Sequence, residues 1–127
     1  MQQSRSDFAR LGGEPVLRAL IAAFVERVCD DLMIGFYFQR TDRAQLCARE
    51  YEHAAAFLGA GVVYHGRPLA AVHQPRRIMG GHFDRRLHLL AQVWEDFQVP
   101  EDIRQRWRAH QLAQRSLITA DAPGQCA

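Results

Sequence analysis

Val72-His73-Gln74-Pro75-Arg76-Arg77-Ile78-Met79-Gly80-Gly81-His82-Phe83-Asp84 is the stretch on which the reading of this chain turns. One histidine follows an apolar approach, Leu69 to Val72, and Leu69 to Gln74 has room for one short turn of helix. Pro75 and the Gly80-Gly81 pair are expected to break regular structure, and an apolar stripe restarts at Phe83. A histidine fixed at the end of a short segment, with a long apolar helix behind it, can hold a metal from one side. Imidazole is the commonest metal-binding side chain. An isolated histidine reads first as a satisfied loop residue, so the rest of the chain has to decide.

Downstream, Phe83, Leu87, Leu90, Trp94 and Phe97 recur at helical spacing and predict a helix over 82–97, with Arg86 on the edge of its apolar face. Val99-Pro100-Glu101-Asp102 opens a last helix, with proline early and acids in the first turn. It runs to about Ile118 through Ile103, Trp107 and Leu117, and its polar middle (His110, Gln111, Gln114) predicts a weak inner face. His82 reads as part of a helix start, His65 as a loop residue, and His88 and His110 as solvated.

Upstream, residues 59–68 read as a Gly/Pro-rich loop. Asp42, with Gln45 three residues on, has the form of a capping box and opens a helix to about Leu58. Its expected inward positions are Leu46, Glu50, His53, Ala54 and Phe57. A buried carboxylate without a partner costs several kcal/mol, on the order of a domain's whole stability. Glu50 therefore has a partner, faces a polar cavity or turns outward. Ile34-Gly35-Phe36-Tyr37-Phe38 is a dense aromatic corner, either core or a bend whose rings pack on something large and flat. Phe8 to Leu11 is a lead-in and Gly12-Gly13 a turn. Leu17, Leu20, Ile21, Phe24, Val25, Val28 and Leu32 then form a stripe that predicts a helix over 15–31. No segment alternates with period two. The fold class is all-α.

The 127 residues suffice for a single domain, with a core over about 8–118 and a tail, 119–127, expected to fray. A net charge of +2, with the 16 basic residues all arginine and broken up by apolar ones, argues against nucleic acid. Cys29, Cys47 and Cys126 form no metal-binding spacing, and an odd count with no apolar leader favours a reducing cytoplasm. No run approaches the roughly 20 apolar residues that span a membrane.

The order Leu11-Gly12-Gly13, a helix leading to Tyr37-Phe38, a glycine-rich loop, then His73, Ile78 and His82-Phe83 resembles the truncated haemoglobins, closest to their first group. The resemblance covers roughly residues 8–118. It implies a two-over-two helical sandwich around one haem b, with His73 as the proximal iron ligand. It implies that Phe38 stacks on the porphyrin, that Ile78 and Phe83 line the proximal side, and that Leu90 also touches the cofactor. Leu46, Glu50, Ala54, Val25 and Arg86 would face the distal side. Arg49, Tyr64 and Arg76 would meet the propionates, where a guanidinium offers a charge-assisted bond.

Three positions depart from the family's pattern. Val25 stands where a tyrosine usually hydrogen-bonds bound oxygen, Glu50 where a neutral residue is usual, and Arg86 where an apolar one is usual. The expectation is that Glu50 and Arg86 face each other, since a buried charge needs its opposite. An acid beside an arginine can serve peroxide chemistry, or the pair can be purely structural. His53, or Cys47 as thiolate, is a candidate sixth ligand. Three functions stay open. The first is a haem protein binding diatomic gases as carrier, scavenger or sensor. The second is a redox enzyme acting on peroxide or nitric oxide, with a reductase as partner. The third is a haem-free interaction module. The expected state is a monomer or weak dimer.

Overall fold

The computed structural model describes residues 5–61 and 80–118, with side chains through residue 115. Among the described residues there are five α-helices and one 3-10 turn, and no strand. The helices are α1 (Asp7–Leu11), α2 (Gly13–Asp30), α3 (Arg43–Leu58), α4 (Gly80–Asp96) and α5 (Glu101–Ile118); the 3-10 turn is Gly35–Phe38.

The expected lead-in is itself a short helix, because the Ser6 hydroxyl accepts from the amide of Ala9 at 3.1 Å and caps it. Gly12 then turns the corner into α2 with φ +123°, where a Cβ would lie 2.5 Å from Val16 Cγ2. The predicted stripe of α2 is buried from Leu17 to Val28, but Leu32 is fully exposed. The helix stops at Asp30 because Asp31 is extended (φ −70°, ψ 139°) and its carboxylate accepts from the amides of Met33 and Ile34. That side-chain cap competes with another helical turn. Gly35 follows in tight contact: a Cβ there would sit 2.6 Å from the Cys29 carbonyl oxygen.

Asp42 caps α3 by accepting from the amides of Ala44 (2.9 Å) and Gln45 (3.4 Å). Gly59, at φ +91°, ends it. The buried face of α3 is rotated from the expected one. Tyr51, Ala54, Ala55 and Leu58 are buried, while Leu46, Glu50, His53 and Phe57 are only half-buried. The small pair Ala54-Ala55 lets α3 pack on α2, and Arg18 of α2 covers the Tyr51 ring at 4.1 Å.

Gly80 and Gly81 are the first two described residues of α4, two residues ahead of the expected start. Phe83, Leu87, Leu90 and Trp94 point inward as predicted, joined by Leu89 and Val93. Trp94 is fully buried, with its ring centroid 5.3 Å from that of Trp107 on α5. The inner face of α5 is stronger than its composition suggests, with Ile103, Trp107 and Gln111 all buried. At the surface, Arg10 and Arg106 share Asp7 and Asp102 at 2.6–3.3 Å, tying α1 to α5. Exposed pairs of this kind each contribute at most about 1 kcal/mol.

Candidate functional site

Where α2, α3, α4 and α5 converge there is a small, partly open cleft. Its apolar lining is Ile21, Phe24, Ala54, Leu90 and Trp107, and its polar lining is Glu50, His53, Arg86 and Gln111. Arg86 is the centre of the polar set. Its Nη2 donates to both carboxylate oxygens of Glu50, at 3.0 and 2.8 Å, and its Nη1 donates to Gln111 Oε1 at 2.7 Å. Its guanidinium carbon also lies 4.9 Å from the Phe24 ring centroid. The two charged side chains are 18% and 22% exposed, so water screens the pair only in part. These are charge-assisted bonds in good geometry. Breaking such a pair from one side costs more than the intact pair contributes, because the other charge stays behind.

Beside the pair sit two imidazoles. His110 stacks on Phe57 at 4.1 Å, and the His53 ring lies 5.6 Å from it. Sequence pattern made His110 solvated; it is half-buried. Burial pushes the His53 pKa below its ordinary value, opposed by Glu50 and assisted by Arg86. Burial, then the neighbouring His53, lowers His110. Both rings are harder to protonate folded than unfolded, so the unfolded chain binds more protons just below pH 6.5. Their stabilising contribution is complete above that pH and is lost as the pH falls from 6.5 through their lower folded values. The melting temperature should therefore fall below pH 6.5, and less steeply in His53→Gln/His110→Gln. An identical slope in the double variant would remove these rings as the cause.

A second polar arrangement fixes the aromatic corner to α4. Tyr37 Oη and His82 Nδ1 are 2.8 Å apart, and Arg85 donates twice to Asp31 Oδ1, at 2.8 and 3.1 Å. The Arg85 bonds, ahead of the Met33 and Ile34 amides, hold the Asp31 carboxyl below its ordinary pKa. Phe36 stacks on Tyr37 and is 54% exposed, so the corner is only partly core; Phe38 is half-buried.

Of the predicted site residues, Glu50, Arg86 and Leu90 meet in the cleft, with Ala54 and His53. Phe38 and Leu46 are half-buried against the core, Phe83 is fully buried, and Arg49 is exposed. Val25 is buried at 1% exposure, and α2 supplies Ile21 and Phe24 to the cleft in its place. His73, Tyr64, Arg76 and Ile78 lie outside the described residues, as do His65, Cys126, the 69–74 turn, most of the 59–68 loop and the 119–127 tail. Burial raises the pKa of both Cys29 and Cys47, which favours thiol over thiolate, and Cys47 is not among the cleft residues. Gln111, Trp107, Ile21 and Phe24 are the site residues that the sequence reading did not single out. The signal for Gln111 was its spacing, four residues beyond Trp107 and eight beyond Ile103.

The sequence pattern of the bacterial-like globins matches residues 6–116. The chain belongs to that family. This globin is 24% identical over 103 residues to a Group 1 truncated hemoglobin of Tetrahymena thermophila, covering 81% of this chain and 85% of that one. It is 35% identical over 78 residues to Group 1 truncated hemoglobin GlbN of Mycolicibacterium paratuberculosis, covering 61% and 57%. Its fold is shared with the truncated hemoglobin of Tetrahymena pyriformis in the Fe(III) form, at a TM-score of 0.84 and 20% identity over 91% of this chain and 98% of that one. The 2/2 hemoglobin of Synechococcus, solved in the cyanomet state with covalently attached heme, gives 0.84 and 20% over 90% and 98%. The all-α two-over-two expectation holds. Among the described residues, no helix is long and apolar enough to cross a membrane.

The family implies haem, a flat apolar ring system with carboxylates at its edge. The described residues fit one wall for it. Phe38, Leu46 and Phe57 present apolar surface that the core covers only in part. Arg86 and Glu50 line the cleft from α4 and α3. No group of three histidine, cysteine or carboxylate side chains converges on a metal site among the described residues.

Proposed function

We propose that this globin binds haem b through His73 and takes small diatomic gases on the side lined by Glu50 and Arg86. The observation that carries the reading is the cleft itself, whose polar groups converge in a chain matching the globin pattern over residues 6–116. When bound, the haem supplies an iron centre that takes oxygen, carbon monoxide or nitric oxide. Phe38, Ile78, Phe83, Leu46 and Leu90 would hold its faces, and Arg49, Tyr64 and Arg76 its propionates. Val25 offers no hydroxyl, so a tyrosine's hydrogen bond to bound oxygen is absent from the reading, and carriage, scavenging or sensing of gases fits better than tight oxygen storage. A reducing cytoplasm and an electron-donating reductase belong to the same proposal. The test is an absorption spectrum of the ferric, ferrous and carbonyl forms after haem is supplied. A chain that stays colourless would instead be a haem-free interaction module.

The bidentate Glu50–Arg86 contact favours a second, redox reading on peroxide. Glu50 would hold or move a proton at Oε1 or Oε2, and the Arg86 guanidinium would steady developing negative charge. Glu50→Gln should then slow peroxide consumption by about a hundredfold or more and leave carbon monoxide binding within a few-fold. Equal, small effects on both would rule this reading out.

A further inference from the structure

Gln111 stands out from the remaining polar groups of α5. It is 5% exposed, the one polar or charged residue that is buried as a whole among the described residues. A buried amide is costly unless it is bonded, and the partner of its Oε1 is the Arg86 guanidinium at 2.7 Å. Arg86 is thus anchored twice, through Nη2 to Glu50 on α3 and through Nη1 to Gln111 on α5. One anchor would leave a long, flexible cation free to pivot about it. Two anchors on different helices fix the guanidinium plane, and Phe24 supports its face at 4.9 Å. The cleft therefore presents a closed ion pair in place of a free positive charge.

We infer that Gln111 is a specificity-determining residue: by holding Arg86 on Glu50 it keeps the cleft electrically closed, so that the site admits small neutral ligands and discriminates against small anions. This rests on the haem-globin reading above. A loose guanidinium can turn toward an anion entering a poorly hydrated cleft and attract it strongly. A guanidinium already neutralised by Glu50 and restrained by Gln111 attracts it weakly, while neutral carbon monoxide is indifferent to either state. The opposite substitutions have opposite signs. Gln111→Leu removes the acceptor and frees one end of Arg86. Gln111→Glu keeps an acceptor oxygen in place and adds a second negative charge.

The experiment compares the haem-loaded full chain with Gln111→Leu and Gln111→Glu, measuring azide affinity in the ferric form and carbon monoxide affinity in the ferrous form. A bond from a charged donor is worth about a tenfold change in affinity. Azide should therefore bind about tenfold tighter in Gln111→Leu and about tenfold weaker in Gln111→Glu, with carbon monoxide within about threefold. Azide and carbon monoxide moving together, or both variants shifting azide the same way, would overturn the inference and leave Gln111 a packing residue. A double-mutant cycle between Glu50 and Arg86, by urea unfolding of the chain without haem, gives a second readout. The Glu50–Arg86 coupling should fall by at least half in a Gln111→Leu background, and an unchanged coupling overturns the inference. If the unsubstituted chain takes up no haem, the haem reading falls and the cycle alone decides the role of Gln111.

Discussion

Replacing His73 by alanine is expected to weaken haem retention by more than about a hundredfold. Losing even a residue that only supports a metal ligand costs about 10–100-fold in metal affinity, and here the ligand itself would go. The ferric spectrum of the His73→Ala chain should collapse to that of free haem, with fast loss to a competing haem-binding protein. Added imidazole should restore part of the colour by standing in for the missing side chain. His88→Ala is the control, since His88 is exposed and among the described residues is bonded to Gln92 of its own helix; it should retain haem as the unsubstituted chain does. An unchanged spectrum and loss rate in His73→Ala would end the assignment of that imidazole to iron.

The second large effect concerns the core behind the cleft. Trp94 is fully buried against Trp107, so Trp94→Ala should cost about 3–5 kcal/mol of unfolding free energy. That is a large share of the about 5–15 kcal/mol available to a domain. Trp94→Phe should cost far less than the alanine change. The Trp94 Nε1 is buried without a hydrogen-bond partner among the described residues, and leaving such a donor unsatisfied costs about 1–3 kcal/mol. Phenylalanine loses packing but removes that penalty. Urea unfolding of both variants checks it. Equal losses would mean that the indole N–H has a partner after all.

The helices were readable because their apolar positions recur at the spacing the core requires. Both ends of each of the four long helices fall within two residues of the expected ones, from the proline-led opening of α5 to the Asp42 cap of α3. Errors arose where a side chain overrode the pattern. Leu32 extended the α2 stripe on paper, but the Asp31 carboxylate captures the next amides and ends the helix. On α3 the pattern favoured the large apolar residues, whereas close packing on α2 selected the small pair Ala54-Ala55 and turned Leu46 and Phe57 half outward. The meeting of Glu50 and Arg86 was legible because each charge, placed near an apolar stripe, demands the other. Gln111 was not, because a neutral amide makes no such demand and a polar helix middle looks solvent-facing until its spacing from Ile103 and Trp107 is counted.

The arginine–aspartate cluster between α1 and α5 has a consequence for how this protein must be handled. Beside the apolar contacts of Leu11 and Phe8, the first helix is held by exposed charges whose partners lie 92 or more positions away in sequence. At 1 M salt the screening length shrinks to about 3 Å, against about 10 Å at 0.1 M. The charged part of the first helix's docking is thus weakened by added salt, while its apolar contacts and the tryptophan core are not. Comparisons of variants are meaningful only in matched salt.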